Sequence, residues 1–361
     1  MQQNKPNLGL QYNASFQKYL ANDIGLSDLE SIRLILSGDS IIDWNRANFR
    51  TMEEVDRFLR LHLIDLSIPA DQKRLKYLHR KAMEYLEHHL MLRFPVDLKR
   101  PNDIRDIFLN ASYNKGFNRR KILSCVILKL MHVLHHLDVA ELRYKIPLAE
   151  AVILEEAEKK VLAIGEKMKE AGLPIVKFYG SRKTRNSIIT KLLAKKEDVA
   201  ATVFDKVRFR IITEDKTSLA PILVWLQQNL FPFNYVIPGE SHNNLQSYQN
   251  MLGACGFQVP PSNGVDSSID SVDNPNSFSG SSYRVINFII DLPIRVENLV
   301  DYSFSEELGR VLFAMVEFQI VDKETAHRNE MGDASHDLYK ERQQAQVLRR
   351  LKKGRRRDSI F

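Results

Sequence analysis

Basic residues crowd one short stretch of this chain. Between Lys177 and Lys196 there are seven Lys or Arg residues and neither Asp nor Glu. Solvated surface helices usually carry charges of both signs, so an all-basic run indicates an anion-binding segment. The bases also fall at a predicted junction from strand to helix, where free backbone N–H groups and the helix dipole favour an anion. The pattern predicts a polyphosphate site.

The side chains that would meet the phosphates have helical spacing. Lys183 and Ser187 are four residues apart, as are Ser187 and Lys191, so the three share one helix face if the helix begins by Lys183. Arg182 adds a guanidinium group, which makes forked contacts to phosphate where lysine supplies a point charge. The alternative is a surface helix that only keeps the protein soluble. The GxxxxGK[ST] pattern of a Walker loop does not occur, so the site would be of another type.

Two carboxylates on predicted strands supply the second half of a reaction centre. Asp205 directly precedes an apolar run, and Glu317 lies inside another, where alternation directs Glu317 and Gln319 to one face. A carboxylate in an apolar strand costs free energy unless it is paired, bound to a metal or open to a cleft. The alternative is an edge strand with its polar face in water. Beside a phosphate groove, two carboxylates suit Mg²⁺ and phosphoryl or nucleotidyl transfer.

Tyr283 begins a predicted strand after a segment rich in Ser, Asn, Gly and Pro at 239–282. A tyrosine in this position would stack on a nucleotide base, although an aromatic residue at a strand start also follows from β propensity. The segment itself cannot bury enough apolar area to offset its chain entropy. We therefore expect a flexible insert at about 239–282.

Three histidines lie close together in the N-terminal part of the chain. His132 and His136 are spaced i, i+4 and share a helix face, which would permit a metal site together with His135. The HExxH pattern is absent, and no Cys or carboxylate stands at a recognisable ligand spacing. The sequence favours a packed helix over a metal site.

Two regions of different character position these residues. Residues 1 to about 146 show helical periodicity and capping boxes without a strand signal, and strands alternate with helices from 147 onward. The predicted strands lie at 175–179, 206–213, 231–237, 283–291 and 311–321, and the predicted helices of this part at 147–171, 186–196, 217–229 and from 323. The sequence thus predicts an α+β fold, with an all-helical N-terminal domain (1–146), a domain built on a mixed β-sheet (147–345) and a basic tail (346–361).

The composition indicates the class of protein and its cellular compartment. An apolar content of 44% and a charged content of 27% are ordinary for a soluble globular protein. The two cysteines form no disulfide or metal framework, which fits a reducing compartment. The first residues lack a signal-peptide pattern, and the apolar run at 122–133 is interrupted by Lys129 and too short to span a bilayer. We expect a cytoplasmic protein that makes no membrane contact.

Most of the net charge of +7 comes from the last thirteen residues, which hold seven Lys or Arg against Asp358. A basic tail of this kind can bind RNA by releasing counterions, so such binding would weaken steeply with salt. The remainder of the chain is nearly neutral, and an argument for nucleic-acid binding applies to the tail alone.

Four motifs in this order resemble the synthetase domain of the RelA/SpoT family, a nucleotidyltransferase-type domain that makes the guanosine alarmones ppGpp and pppGpp. The family's Gly-Arg-x-Lys turn and Ser-Ile-x-x-Lys helix correspond to Gly180–Lys183 and Ser187–Lys191. Its Asp-led strand, its Glu-x-Gln-Ile strand and its His-x-x-Tyr-Lys helix correspond to 205–210, 317–320 and 336–340.

The resemblance implies a role for each matched residue. Lys183, Ser187 and Lys191 would contact the phosphates of ATP, and Asp205 and Glu317 would hold Mg²⁺. Glu317 would also help to deprotonate the 3′-hydroxyl of GDP or GTP, which attacks the β-phosphorus of ATP and releases AMP. The acceptor guanine would stack on Tyr283. The remaining nucleotide-binding residues implied are Arg182, Arg210 and Gln319.

The chain departs from the family pattern at three places. Ser181 stands at the first arginine of the turn, Asn287 replaces the histidine of the Tyr-x-x-x-His acceptor motif, and Val321-Asp322 replaces Arg-Thr. Two alternatives therefore stay open. One is a related toxin that pyrophosphorylates tRNA or adenine nucleotides, with the basic tail binding RNA. The other is a sensor that binds nucleotides without turnover.

Overall fold

A computed structural model describes residues 32–33, 49–112, 118–194, 206–255, 282–331 and 336–352. Helices precede the sheet: α1 (Met52–Leu61), α2 (Pro69–His88), α3 (Val96–Lys99), α4 (Arg105–Ala111), α5 (Arg119–Lys145) and α6 (Glu150–Glu170). Strands and helices then alternate: β1 (Ile175–Arg182), α7 (Arg185–Ala194), β2 (Val207–Thr213), α8 (Leu219–Asn229), β3 (His242–Asn243), α9 (Tyr248–Ala254), β4 (Ile286–Arg295), β5 (Val311–Asp322), α10 (Lys323–Asn329) and α11 (His336–Lys352). The predicted α+β class is confirmed, and the described residues before β1 contain no strand.

Local sequence signals decide where several helices begin. The Thr51 hydroxyl accepts a hydrogen bond from the Glu54 backbone N–H, 3.3 Å apart, and so caps α1. Helix α5 begins in the same way, because the Asn118 side-chain oxygen accepts from the Lys121 N–H at 2.8 Å. Pro69 opens α2, at a position where its missing N–H costs nothing. These signals are contained within four residues, which is why the sequence alone locates them.

The sheet has the order β1-β2-β5-β4-β3. β2 and β5 run parallel, and every other neighbouring pair is antiparallel. One face carries a phenylalanine from each of four strands, with ring centroids 5.4 to 5.8 Å apart between neighbours: Phe178, Phe209, Phe318 and Phe288. Helices α6 and α8 cover this face and share its apolar core. The opposite face is left for polar side chains.

Several predicted boundaries need correction. The predicted strand at 231–237 is wrong: residues 233–235 form a 3₁₀ turn, and only Val236 bridges β4, opposite Ile290. Pro232 and Pro238 flank this stretch, and proline cannot donate to a strand ladder. β1 continues through Gly180 and Ser181, where the sequence suggested a break. β4 begins three residues later than predicted and extends to Arg295.

Part of the segment expected to be a flexible insert belongs to the fold. β3 and α9 lie within 239–282, and α9 buries Met251 completely in the core beneath α8. Ser247 caps α9 by accepting a hydrogen bond from the Asn250 N–H at 3.3 Å. The expectation of a loop is therefore wrong for 242–254, while 256–281 lie outside the described residues.

Gly165 allows α6 to approach the sheet closely. A Cβ atom at this position would lie 2.3 Å from the Phe178 ring on β1, closer than atoms can pack. We expect Gly165→Ala to destabilise the protein by about 1–3 kcal/mol through overpacking. Gly253→Ala on α9 is the matched control, because its Cβ would meet nothing within 4 Å, and it should be neutral or slightly stabilising. Urea unfolding of both variants measures the difference; equal midpoints would contradict the contact.

Helix α5 takes part in two cores. Its first half packs with α2 and α4, and Val139 and Leu142 near its end join the core of the sheet. By length and composition α5 is also apolar enough to cross a bilayer, as the core helix of a soluble protein can be, and 39% of its most apolar window is buried. The predicted boundary near 147 and the predicted cytoplasmic location stay predictions.

The three clustered histidines of α5 lie against the sheet together with His62. Asn234 bridges His62 Nε2 and His132 Nδ1, 3.1 Å from each, and His136 Nδ1 lies 3.6 Å from Asp291 Oδ2 on β4. Among the described residues no group of His, Cys, Asp or Glu has the geometry of a metal site. The packed helix that the sequence favoured agrees with this arrangement.

Burial of these histidines predicts a loss of stability in mild acid. Burial lowers the pKa of His62 and of His136 to about 4, and that of His132 and His135 well below the ordinary value. Unfolding therefore takes up protons as the pH falls from about 6.5 to about 4, and stability declines through this window. Asp291 and Asp138 act in the opposite direction, since burial raises the pKa of both carboxyl groups, that of Asp291 to about 6. The four histidines outnumber these two aspartates, so the net effect is a loss of stability.

The expected result is a free energy of unfolding that falls by about 1.4 kcal/mol per pH unit for each proton taken up. Urea unfolding at about pH 7, 6 and 5 measures the slope. His136→Gln should reduce it, and His88→Gln, an exposed histidine of α2, should leave it unchanged. A slope of zero in the unmodified protein would contradict the buried cluster.

Candidate functional site

Two rows of side chains cross the sheet on the face opposite the phenylalanines. They are set by the pairing register, because residues paired across neighbouring strands point to the same side. The first row is Ser181, Arg208 and Glu317, and the second is Tyr179, Arg210, Gln319, Asn287 and His242. Polar groups from all five strands thus converge on one face.

Glu317 lies at the centre of the first row and is only 4% exposed. Its Oε2 accepts a hydrogen bond from Arg208 Nε at 2.7 Å, and its Oε1 accepts from Gln319 Nε2 at 3.1 Å. The ion pair compensates the cost of burying the carboxylate, and the amide holds its second oxygen. The shared face of Glu317 and Gln319 predicted from alternation is present. Arg208 is a residue that the sequence reasoning did not select.

Unsatisfied polar atoms occur along the second row, on β2, β4 and β3. The side-chain Nε of Arg210, Oδ1 of Asn287 and both ring nitrogens of His242 are buried and lack a protein partner. Buried polar groups are normally hydrogen-bonded, so several buried polar atoms without a partner indicate a place where a ligand or water supplies the partners. His242 was missed because it comes from the segment expected to be a loop. Only the pairing of β3 with β4 brings it opposite Asn287.

Tyr283 lies on the same face of the sheet as the polar rows, at the apolar end of that face. It packs against a small cluster of Ile212, Val285, Val321 and Ala326. Burial raises the pKa of the Tyr283 hydroxyl, and Arg210 and Arg208 act on that pKa in the opposite direction. The position next to the polar rows suits a stacking platform, as the sequence hypothesis requires.

The strand leading to Tyr283 is fixed from two sides. Asn329 of α10 accepts from the Arg284 N–H at 3.0 Å and donates to the Arg284 carbonyl at 2.7 Å. Asn244, which follows β3, accepts from the Val285 N–H and donates to the Tyr283 carbonyl, each at 2.8 Å. Two asparagine side chains thus replace ladder bonds just before β4 begins.

The basic helix α7 follows β1 directly. Thr184 caps it, since its hydroxyl accepts from the Ser187 N–H at 3.3 Å and lies 3.0 Å from the Ser187 hydroxyl. Ser187 and Lys191 lie on this helix, but Lys183 precedes its first residue, Arg185. The Lys183 backbone N–H donates to the Lys206 carbonyl at 3.0 Å, so the predicted helix face shared by all three residues does not form. Helix α11 packs against α7, and Arg350 donates to the Leu193 carbonyl at 2.7 Å. The helical part of the predicted tail, 346–352, therefore docks beside α7.

Arg182 and Ser181 lie on opposite faces of β1. Alternation places Ser181 in the first polar row and turns Arg182 toward α6, where it forms an ion pair with Glu158 at 2.6 Å. The structure thus separates Arg182 from Glu317. Asp205, the second predicted carboxylate, lies outside the described residues. The predicted roles of all these residues stay predictions.

No protein family in the comparison matches the chain, and no curated protein matches it. Solved structures do align with it over slightly more than half its length. The small alarmone synthetase 2 from Bacillus subtilis shares 15% identity over 56% of this chain and 89% of that chain, with a TM-score of 0.28. The small alarmone synthetase 1 from Bacillus subtilis, bound to its product pppGpp, shares 15% over 58% and 90%, with a TM-score of 0.31.

A GTP pyrophosphokinase family protein from Streptococcus pneumoniae aligns with 12% identity over 56% of this chain and 84% of that chain, with a TM-score of 0.29. These proteins are of the class that the four sequence motifs resemble.

Proposed function

We propose that this protein transfers a pyrophosphoryl group from ATP to the 3′-hydroxyl of GDP or GTP. The observation that carries the proposal is the buried Glu317, held between Arg208 and Gln319 on the polar face of the sheet. Phosphoryl-type transfer requires little covalent chemistry from a protein; it requires positioning and charge stabilisation. A rigid carboxylate among guanidinium groups, next to a basic helix, offers both.

The donor phosphates would bind along α7. Lys183, Ser187 and Lys191 supply two ammonium groups and a hydroxyl, and the N-terminus of the helix adds the positive end of its dipole. Arg210 would reach the same phosphates through its unpartnered Nε. Arg182, tied to Glu158, would have to leave that ion pair to take part.

Mg²⁺ is the cofactor that we propose, held by Asp205 and Glu317. A carboxylate offers about four lone-pair positions, and Arg208 and Gln319 occupy two of those on Glu317, so positions for a cation remain. Gln319 donates through its amide nitrogen and keeps its carbonyl oxygen available as a further oxygen ligand. When bound, the metal would neutralise charge on the transferring group.

The chemical step forms one P–O bond and breaks another. The 3′-oxygen of the acceptor attacks the β-phosphorus of ATP, the bond between that phosphorus and the oxygen of the α-phosphate breaks, and AMP leaves. Glu317 would accept the hydroxyl proton at a carboxylate oxygen, while Gln319 keeps that carboxylate in its orientation. Arg208 and Arg210 would stabilise charge on the equatorial oxygens.

The acceptor base would stack on Tyr283, with Asn287 and His242 facing its edge. A second acceptor is favoured by one observation: Arg350 near the end of α11 docks on α7 through the Leu193 carbonyl, which brings basic residues close to the phosphate site. That arrangement suits the 3′ end of an RNA such as tRNA, bound by counterion release.

A transfer assay tests the proposal. Purified full-length protein is incubated with ATP labelled at the γ-phosphate, Mg²⁺ and one acceptor at a time: GDP, GTP, ATP or bulk tRNA. Label on a guanine nucleotide together with AMP release is the expected result. Label on tRNA or on an adenine nucleotide would assign the second acceptor class. Nucleotide binding without transfer to any acceptor would refute the enzymatic proposal and indicate a sensor.

Lys191→Ala should weaken ATP binding about tenfold to a hundredfold, because a charge-assisted hydrogen bond contributes about 1.5–3 kcal/mol. Lys167→Ala is the matched control, an exposed lysine of α6 on the other side of the sheet. Isothermal titration with a non-hydrolysable ATP analogue measures both. Equal affinities of the two variants would remove Lys191 from the donor site.

A further inference from the structure

A cavity of about 400 Å³ lies where α2 and α5 meet the end of β4, the beginning of β5 and the loop before β5. Cavities of this size hold small ligands in proteins. It is remote from the candidate reaction centre, since Val311 in its wall precedes Glu317 by six residues of one strand, about 20 Å. The proposed transferase reaction makes no use of it.

Two side chains in the wall are almost completely buried and carry an unsatisfied polar atom. Arg74 is 5% exposed and His135 is 6% exposed, and both line the cavity. Arg74 donates through Nη1 to Asp138 and to the carbonyls of Glu306 and Glu307, but its Nε has no partner. His135 Nε2 also has none.

The hydrogen bond between these two residues shows which kind of partner is missing. Arg74 Nη2 lies 3.2 Å from His135 Nδ1, and a guanidinium can only donate, so Nδ1 accepts. Burial keeps the pKa of His135 well below its ordinary value, so the ring is neutral and its proton resides on Nε2. Two residues that line the cavity thus hold buried N–H donors, Arg74 Nε–H and His135 Nε2–H, without an acceptor in the protein.

The charged side chains that line the cavity are four cations and two carboxylates: Lys73, Arg74, Arg295 and Arg310 against Asp71 and Glu306. Arg295 is satisfied, because it binds both oxygens of Asp71 at 2.8 and 2.9 Å and Glu297 at 2.9 Å. Lys73 and Arg310 line the cavity as further cations, and Arg310 lies 3.6 Å from Glu297. An oxyanion entering beside Arg74 would therefore meet donors and positive charge together.

We infer that this cavity binds a small oxyanion, a phosphate or a carboxylate group, through Arg74 Nε and His135 Nε2. Its walls come from both the helical region and the sheet region, so the bound ligand would join the two. The chemistry of the donors does not separate phosphate from carboxylate, and the two sources are distinguished by titrating them separately.

Gly309 offers a way to block the donor without removing it. A Cβ on Gly309 would lie 3.0 Å from Arg74 Nε, in the space where the oxyanion would sit. Gly309 has φ +72, so Gly309→Ala also introduces backbone strain. Gly239→Ala is the matched control: Gly239 has φ +77, and its Cβ would meet nothing within 4 Å. Lys73→Ala and Lys76→Ala form a second pair on α2, of which only Lys73 lines the cavity.

The test is isothermal titration of the full chain with inorganic phosphate and, separately, with malonate at constant ionic strength. We expect saturable binding of at least one anion, retained in Gly239→Ala, Lys76→Ala and Lys191→Ala. Binding should be at least about tenfold weaker in Gly309→Ala and several-fold weaker in Lys73→Ala.

Three outcomes would overturn the inference: no saturable binding of either anion, which leaves a cavity filled with water; equal affinity in Lys73→Ala and Lys76→Ala; or loss of binding in Lys191→Ala, which assigns the anion to α7. Circular dichroism tests whether Gly309→Ala is folded. If it is not, the comparison of Lys73→Ala with Lys76→Ala decides whether the cavity binds the anion. Because the assay contains no nucleotide, failure of the transferase proposal leaves its result unaffected.

Discussion

Glu317→Gln should lower the rate of pyrophosphoryl transfer by about 10²–10⁴-fold, the range that a positioned general base contributes. The substitution keeps the shape of the side chain and can keep an oxygen facing Gln319 Nε2, but it removes the charge that pairs with Arg208 and the group that accepts a proton. We expect binding of the ATP analogue to change much less than the rate. The radiolabel transfer assay together with isothermal titration measures both quantities.

Glu297→Gln is a suitable control for that experiment. Glu297 also pairs with an arginine Nε, that of Arg295 at 2.9 Å, but it lies at the far end of β4. Its transfer rate should stay within about twofold of the unmodified protein, because a substitution away from the reaction centre removes no transition-state contact. Full activity of Glu317→Gln would exclude the carboxylate from the chemistry and refute the proposed role of the polar rows.

Arg74→Met should destabilise the fold by about 3–5 kcal/mol, the cost of breaking a buried ion pair by removing one partner. The Arg74 side chain is 6% exposed and its Nη1 lies 2.8 Å from Asp138, whose side chain is 18% exposed. The substitution leaves that carboxylate and two loop carbonyls without their donor. Urea unfolding measures the change in the free energy of unfolding.

Arg80→Met on the same helix is the matched control. Arg80 is 55% exposed and lies 3.6 Å from Glu84, and exposed pairs of this kind contribute at most about 1 kcal/mol. Adding Asp138→Asn to Arg74→Met should recover part of the loss, because the unpaired group is then neutral. If Arg74→Met and Arg80→Met unfold at the same urea concentration, Arg74 does not hold the helices to the sheet.

Sequence reasoning was most successful where a short window contains all the information. Helix α6, strand β5 and the helical character of the residues before α6 follow from caps and from the period of apolar residues, which act within a few positions. The common face of Glu317 and Gln319 follows from strand alternation alone. Two residues that are two positions apart on a strand share a face, whichever strands pair with it.

Two secondary-structure predictions made from local sequence are wrong, and tertiary packing explains both. The serine- and asparagine-rich composition of 239–282 predicts a loop, yet Met251 contributes enough buried surface to fix α9 against α8. The apolar stretch at 231–237 has the composition of a strand, but Pro232 and Pro238 prevent a ladder, and residues 233–235 form a 3₁₀ turn instead.

The sequence by itself determined the α+β class, the basic helix after β1 and the common face of Glu317 and Gln319, because these depend on local propensity and period. Only the tertiary structure decided which groups meet them. Arg208 pairs with Glu317 across 109 residues, His242 lies opposite Asn287 through β3, and Arg182 turns away to α6. Such contacts depend on strand order and register, which one-dimensional periodicity does not contain.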